Sequence, residues 1–534
     1  MNKQTLSIAL ALAATAAFSQ EQTVYTIQNH WLQKHLYDAD GKAMYGDYKE
    51  GDPAFSWTLD TIDGYRRLKN VKSSRYVAPG ADGAAILGDG AGEAAQWTVE
   101  IVDGEWLGFR NRANKNLLTL EGQKGFATVD LDRQLGPNDF WSCHWKLDRI
   151  AGPAAEKFMP GGLVSVLSPE PGAVVKDSVK IELAAPGFLK LEARSWLPDG
   201  RFGKNTLLHE CALDADGRAA FSLPLANLPQ GPVMVTLTAS KGDTKNNHFL
   251  QLFNESGKPW ERTGAKNNPV PPAARDMKLV FTDDFDGPLS ISADGKGARY
   301  ASHKPGGGDF SNWNLAPFKE PDGTDTPFSQ RGTWMRLRTD TNKKAAGLIS
   351  SVNADGEGVT ATVPCYFECR FIAHSAPGTW PAFWVMTTGV AKGLHVPADE
   401  LDVIEAYGGE GPRRPNAPGY MIASHTWNQD DYKKPDGYGF YGPIHMRGLP
   451  GGGGASWYET PHTYGVLVGE EFTVYYCDDI EVARHRTTPV SKAEPLFFFV
   501  NNAVSSDWPA DLSQYNGVAD MYVDFARVYQ GVKK

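Results

Sequence analysis

The sequence predicts an all-β chain built from successive modules, and three observations carry that reading. Fifty-six glycines and 35 prolines make up about 17% of the 534 residues, well above the usual ~12%, so turns are frequent. Short apolar runs alternate with polar residues between turn signals such as Pro198-Asp199-Gly200, and no long segment keeps a helical period. Aromatic residues reach 11%, which suits pleated, half-buried surfaces. At roughly 150 residues per domain the length allows three or four domains. The formal charge of −10 argues against a nucleic-acid partner, because phosphate contacts need a basic face.

The first 19 residues read as a signal peptide. Lys3 precedes the apolar stretch 6–17, too short to span a bilayer, and Ala17-Phe18-Ser19 has the small-x-small form of a cleavage site. No later run approaches 18 apolar residues, and no cysteine follows the stretch to take a lipid. The expectation is a secreted, periplasmic or cell-surface protein without a membrane span, acting as a monomer.

Cys143, Cys211, Cys365, Cys369 and Cys477 are few and odd in number. Cys365 and Cys369 share one strand-like run, about 13 Å apart if extended, which is too far for a disulfide. None has zinc spacing. They read as buried small hydrophobes, with one disulfide left unassigned.

Residues 23–150 hold an internal repeat. Asn29, Asn70 and Asn111 are each 41 positions apart, each sits between two strand-like runs, and each unit closes on a tryptophan: Trp57, Trp97 and Trp145. Units of ~40 residues cannot bury an apolar face alone, so three of them predict a closed threefold barrel with these tryptophans as its core. The pattern resembles the ricin-type β-trefoil lectins, with the family's Gln-x-Trp altered to Phe-Ser-Trp, Ala-Gln-Trp and Cys-His-Trp. That resemblance makes Trp31, Trp106, Asp38 and Asp40 candidates for sugar contact, beside an inert-spacer reading.

Residues 159–254 alternate as short strands separated by turns, which predicts an immunoglobulin-like sandwich without a catalytic constellation. Residues 255–277, rich in proline and polar groups, read as a linker.

Residues 278–532 carry the chemistry. In Asp399-Glu400-Leu401-Asp402-Val403-Ile404-Glu405 acidic and apolar residues alternate as in a strand. Strict alternation would bury Glu405, whereas a one-residue bulge at Val403-Ile404 returns it to the face of Glu400 and Asp402. Three like charges on one face raise one another's pKa values, which suits glycoside hydrolysis by an ionised nucleophile and a protonated acid. An exposed edge or a calcium site is the alternative for such a cluster.

The surrounding motifs resemble glycoside hydrolase family 16. They include Gly378-Thr379-Trp380-Pro381-Ala382-Phe383-Trp384, the opening LVFTDDFDG (279–287), GLISS (347–351) and MYVDFARVY (521–529). The resemblance implies a β-jelly roll and a retaining endo-β-glycanase, with Glu400 as nucleophile, Glu405 as acid/base and Asp402 as electrostatic helper. It also implies substrate contacts from Trp380, Trp384, His425, Trp427, Asn501 and Trp508. It implies no cofactor, with a structural calcium ion near Asp524 left open.

The expected partner is a polysaccharide. His395-Val396-Pro397-Ala398-Asp399 stands where laminarinase relatives carry Trp-Pro-x-x-Gly, and Arg413, Arg414, Lys433, Lys434 and Arg447 follow the acidic motif. The altered lead tilts the expectation toward β-1,4 or β-1,3 linkages of a galactan of the agar or carrageenan kind, while the basic residues read first as solvated surface and second as partners for sulfate groups. A laminarinase-like endo-β-1,3-glucanase and a non-catalytic carbohydrate-binding protein are the alternatives.

Overall fold

The computed structural model describes residues 23–532, except 63–64, 81–83, 104–105, 121–126, 130–140, 153–163, 199–202, 242–243, 259–268, 310–313, 323–325, 393–395, 410–418, 428–436, 447–448, 450–454 and 506–509. The expected signal peptide, His395, Trp508 and the five basic residues 413, 414, 433, 434 and 447 lie outside the described residues. The chain divides into two compact units, Met1–Gly162 and Leu163–Lys534. Among the described residues no helix is long and apolar enough to cross a membrane.

In the first unit six strands close into a ring: Val24–Asn29, Trp57–Ile62, Tyr65–Asn70, Trp97–Asp103, Trp106–Asn111 and Trp145–Ala151. Three hairpins join the ring: His35–Ala39 with Lys42–Gly46, Tyr76–Pro79 with Ala85–Gly88, and Leu117–Thr119 with Ala127–Val129. The 41-residue period is chemical as well as topological. The indole N–H groups of Trp57, Trp97 and Trp145 donate to the carbonyls of Leu36, Val77 and Leu118 at 2.9, 3.0 and 2.8 Å. All three rings are fully buried. Each removes on the order of 200 Å² from water, about 5 kcal/mol of hydrophobic driving force.

Asn29, Asn70 and Asn111 are equally buried, and each accepts from backbone N–H groups two and three positions ahead while donating to a carbonyl of the turn that leads into its neighbouring strand. Of the sugar-contact candidates, Asp38 is buried and accepts from the Gly41 N–H at 2.8 Å, so it is a turn residue. Asp40 is exposed beside Lys72 at 3.8 Å. Trp31 is exposed, and Trp106 stacks on His30 at 4.1 Å.

The second unit opens with a sandwich. A three-stranded sheet (Ser165–Ser168, Ser178–Ala184, Arg218–Pro224) faces a five-stranded one (Ala173–Val175, Lys190–Leu197, Lys204–Ala212, Gly231–Lys241, Thr244–Asn254) across an aliphatic core. Thr244–Asn254 begins Thr-Lys-Asn-Asn, and its polar start hid it from the apolar pattern. The sandwich packs on the strands that follow. Arg338 binds both oxygens of Asp520 at 2.7 Å and donates to the Pro171 carbonyl. His374 Nε2 lies 2.7 Å from the Phe249 carbonyl. Within the stretch expected as linker, buried Ala274 and half-buried Met277 pack on Tyr366 and Tyr529.

Two further eight-stranded sheets form the jelly roll. The sheet that bears the site contains β1 (Thr379–Thr387), β2 (Ala398–Tyr407), β3 (Gly419–Trp427) and β4 (Leu496–Val504), ordered β4-β1-β2-β3. Its partner sheet centres on Cys365–Ala373 and Val518–Gln530, which pair along nine positions of the former. Phe367, Phe371, Phe383, Val385, Leu401, Val403, Phe498, Val500 and Val523 fill the space between the sheets. All five cysteines are free thiols, and Cys365, Cys369 and Cys477 belong to this core, as small hydrophobes do. Asp524, the candidate calcium ligand, is buried 3.0 Å from the Arg370 guanidinium.

Candidate active site

The site follows from the register of β2. Glu400 lies opposite Met386 on β1 and His425 on β3; Asp402 lies opposite Trp384 and Ala423; Glu405 lies opposite Ala382 and Met421. Two intervening residues separate Asp402 from Glu405, and both ladders shift register there. The bulge leaves Val403 and Ile404 both pointing into the core beside Leu401 and Ala406. Glu400, Asp402 and Glu405 therefore share the outer face. A regular strand would have turned Glu405 inward, where a charged carboxylate has nothing to replace its hydration.

The two glutamates sit in different surroundings. Trp380 Nε1–H and Tyr407 O–H donate to one oxygen of Glu405, at 3.1 and 2.8 Å. Burial pushes the Glu405 carboxyl up to about 7; the Glu400 charge adds to the rise and the two donors oppose it. Burial also raises Glu400, but the Lys304 ammonium and the Trp427 indole N–H favour its charged form. The pair is thus biased toward a proton on Glu405 and a charge on Glu400. Asp402 is nearly buried, with His425 Nε2 3.6 Å from its carboxylate.

A further carboxylate anchors the strand. Asp399, fully buried, accepts from the Thr426 hydroxyl at 2.6 Å, the Ser491 N–H at 3.0 Å, the Ser491 hydroxyl at 2.7 Å and the Thr488 hydroxyl. Thr488 caps the short helix α1 (Pro489–Ala493). Period-2 alternation put Asp399 on the core side, and a buried carboxylate needs such partners.

The other expected contacts divide. Trp380 is half-buried and stacks on Tyr407 at 6.2 Å; Trp427 is exposed and stacks on His425 at 5.2 Å. Those two rings line the open side. Trp384 and Asn501, expected to touch substrate, are instead buried at 2% and 0% exposure. Trp384 stacks on Phe499 at 4.0 Å and donates to Asn501 Oδ1 at 2.8 Å, while Asn501 donates to the Trp380 carbonyl at 3.2 Å. They brace the floor, because Ala316 and Phe318 pack into the same cluster over this part of the sheet. Tyr407 and Lys304 were not foreseen. Tyr407 stood in the motif's wake without a visible partner, and Lys304 lies 96 positions before Glu400 with no local signal at all.

The donor atoms of Glu400, Asp402 and His425 lie within 4.8 Å of one another, close enough to hold a cation. Lys304 and the Trp427 N–H already favour charge on Glu400, and a second cation there would meet that ammonium. His462, Cys477 and Asp478 form another such group. There both His462 nitrogens are engaged, with Asp478 at 2.7 Å and Thr460 at 2.9 Å.

No family model matches the chain. The endo-1,3-1,4-β-glycanase EglC of Rhizobium meliloti (strain 1021) is 25% identical over 339 residues, covering 59% of this chain and 64% of that protein. The endo-1,3-1,4-β-glycanase ExsH of the same organism is 28% identical over 235 residues, covering 41% and 42%. The chain thus spans less than two thirds of the length of either curated relative. Among solved structures, an endo-β-1,3-glucanase from Pyrococcus furiosus aligns with a TM-score of 0.36 at 19% identity, over 48% of this chain and 96% of that one. LamAcat from Zobellia galactanivorans aligns with a TM-score of 0.36 at 16% identity, over 48% and 100%.

Proposed function

We propose that this chain is an exported endo-acting glycoside hydrolase that cleaves β-1,3 or β-1,4 bonds within a polysaccharide with retention of configuration. One observation carries the reading: a bulged strand sets Glu400 and Glu405 on one face, both raised by burial, with a nearby ammonium opposing the rise at Glu400 and the Glu400 charge adding to it at Glu405. The ionised Glu400 attacks the anomeric carbon while Glu405 gives its proton to the departing oxygen, leaving a glycosyl ester on Glu400. Esterification removes the Glu400 charge, and with it one of the influences that raise Glu405. Glu405, now a carboxylate, takes a proton from the water that hydrolyses the ester. Asp402, between the two, orients Glu400, and the Trp427 and Trp380 rings offer stacking faces to pyranose units. The names of the two curated relatives support a β-1,3/1,4-linked glycan.

A galactan is the second reading of the substrate. It is favoured by the missing Trp-Pro-x-x-Gly lead before β2 and by Arg413, Arg414, Lys433, Lys434 and Arg447.

The test is a panel of laminarin, mixed-linkage glucan, agarose, carrageenans and mucin glycans, read as new reducing ends and as the anomeric configuration of the first product. E400Q and E405Q should each lower kcat by about three orders of magnitude while unfolding at the wild-type temperature. A wild-type chain that binds one of these polymers yet releases no reducing ends would replace the enzyme with a carbohydrate-binding protein.

A further inference from the structure

Lys304 stands outside every motif that marks the acidic strand, yet the fold brings it there. It belongs to the loop His303-Lys304-Pro305-Gly306-Gly307-Gly308-Asp309, whose three glycines all have positive φ, between 77° and 80°. Only glycine adopts such a run without strain. At Gly306 a Cβ would stand 2.8 Å from the Val390 carbonyl, so the loop lies tight against that segment. Asp309 ties the loop's ends together, accepting from the Lys304 N–H at 2.8 Å and sitting 2.5 Å from His303 Nδ1. The Lys304 ammonium then rests 5.2 Å from the centre of the Trp384 ring. That ring is fixed from behind by Phe499 and Asn501, and in register it lies opposite Asp402, two positions along β1 from the partner of Glu400.

We propose that Lys304 is a positioning residue for the nucleophile: held over Trp384 by its glycine loop, it keeps Glu400 ionised and so sets the acid limb of activity. The inference rests on the glycosidase reading above. Among the described residues the groups that face Glu400 are few. From its own strand come Asp402 and Glu405, both opposing its charge. From β3 come His425 and the Trp427 N–H, and from β1 the uncharged Met386. Among the described residues, Lys304 is the cation that favours the Glu400 carboxylate, against burial that favours the acid. Its charge enters through space, so an arginine at 304 should serve and a methionine of similar length should not.

Two readouts on the full chain test this. One is kcat/KM against pH on the best polymer of the panel. The other needs no turnover: the Trp427 indole N–H, followed by NMR in protein carrying 15N-tryptophan and assigned by its loss in W427F, reports the titration of the carboxylate that it bonds. E400Q should abolish that titration. In K304M both the acid limb and the Trp427 titration should move up by about one pH unit, and K304R should restore both. The inference is overturned if the Trp427 titration stays in place in K304M, or moves as far in K304R. If the wild type cleaves nothing on the panel the glycosidase reading falls, and the Trp427 titration still decides whether Lys304 governs the charge on Glu400.

Discussion

Replacing Tyr407 with phenylalanine removes one of the two donors that stabilise the Glu405 carboxylate and leaves the Trp380 N–H in place. A hydrogen bond to a charged acceptor contributes about 1.5–3 kcal/mol. Reorientation of the remaining donor recovers part of that, which leaves a net loss of about 1.4 kcal/mol, equivalent to one pKa unit. The sign is upward: the Tyr407 hydroxyl favours the charged form, so its loss lets Glu405 hold its proton to higher pH, from about 7 toward ~8. An acid that must be protonated to serve the leaving group then works in more alkaline solution. The assay is kcat/KM from pH 5 to 10 on the polymer found by the panel, for wild type and Y407F. The alkaline half-point should rise by about one unit, and at pH 8.5 the variant should keep about eightfold more of its own maximum than the wild type keeps. An alkaline limb that stays in place, or moves down, would refute the assignment of Glu405 as the acid or of Tyr407 as its donor.

Other outcomes follow from buried groups away from the reacting atoms. N501A strands the Trp384 indole N–H without its acceptor and should lower stability by about 1–3 kcal/mol, visible as a drop in unfolding temperature. Burial depresses His374 to about 4 and His248 to about 3 where the sandwich meets the jelly roll. An unfolded histidine takes its proton near pH 6.5, so the stability these neutral rings provide is complete above that value and is lost as the pH falls toward 4. Relative to H374Q, the wild type should lose about 2.4 kcal/mol between pH 7 and pH 4.5 in urea unfolding, and parallel pH profiles would reject the burial argument.

Legibility differed from residue to residue. The 41-residue spacing of Asn29, Asn70 and Asn111 carried the ring, since repeated chemistry along a chain folds into repeated contacts. Thr244–Asn254 escaped, because half of it is polar and its place comes from eleven paired positions with Gly231–Lys241. Trp380 and Trp384, four positions apart, share one face of β1, but alternation does not say whether that face is open. Ala316 and Phe318 cover it at Trp384, whereas Trp380 stays half-exposed beside Tyr407.

The chain by itself determined the all-β architecture, the threefold repeat and the bulged order of Glu400, Asp402 and Glu405, because each rests on local spacing: period 2, period 41, and one extra residue. Tertiary structure alone set the different surroundings of Glu400 and Glu405. That difference comes from burial and from the donors and charges of Trp380, Tyr407, Trp427 and Lys304. Lys304 reaches the site from 96 residues away, and electrostatics acts through the distance in space rather than the distance along the chain.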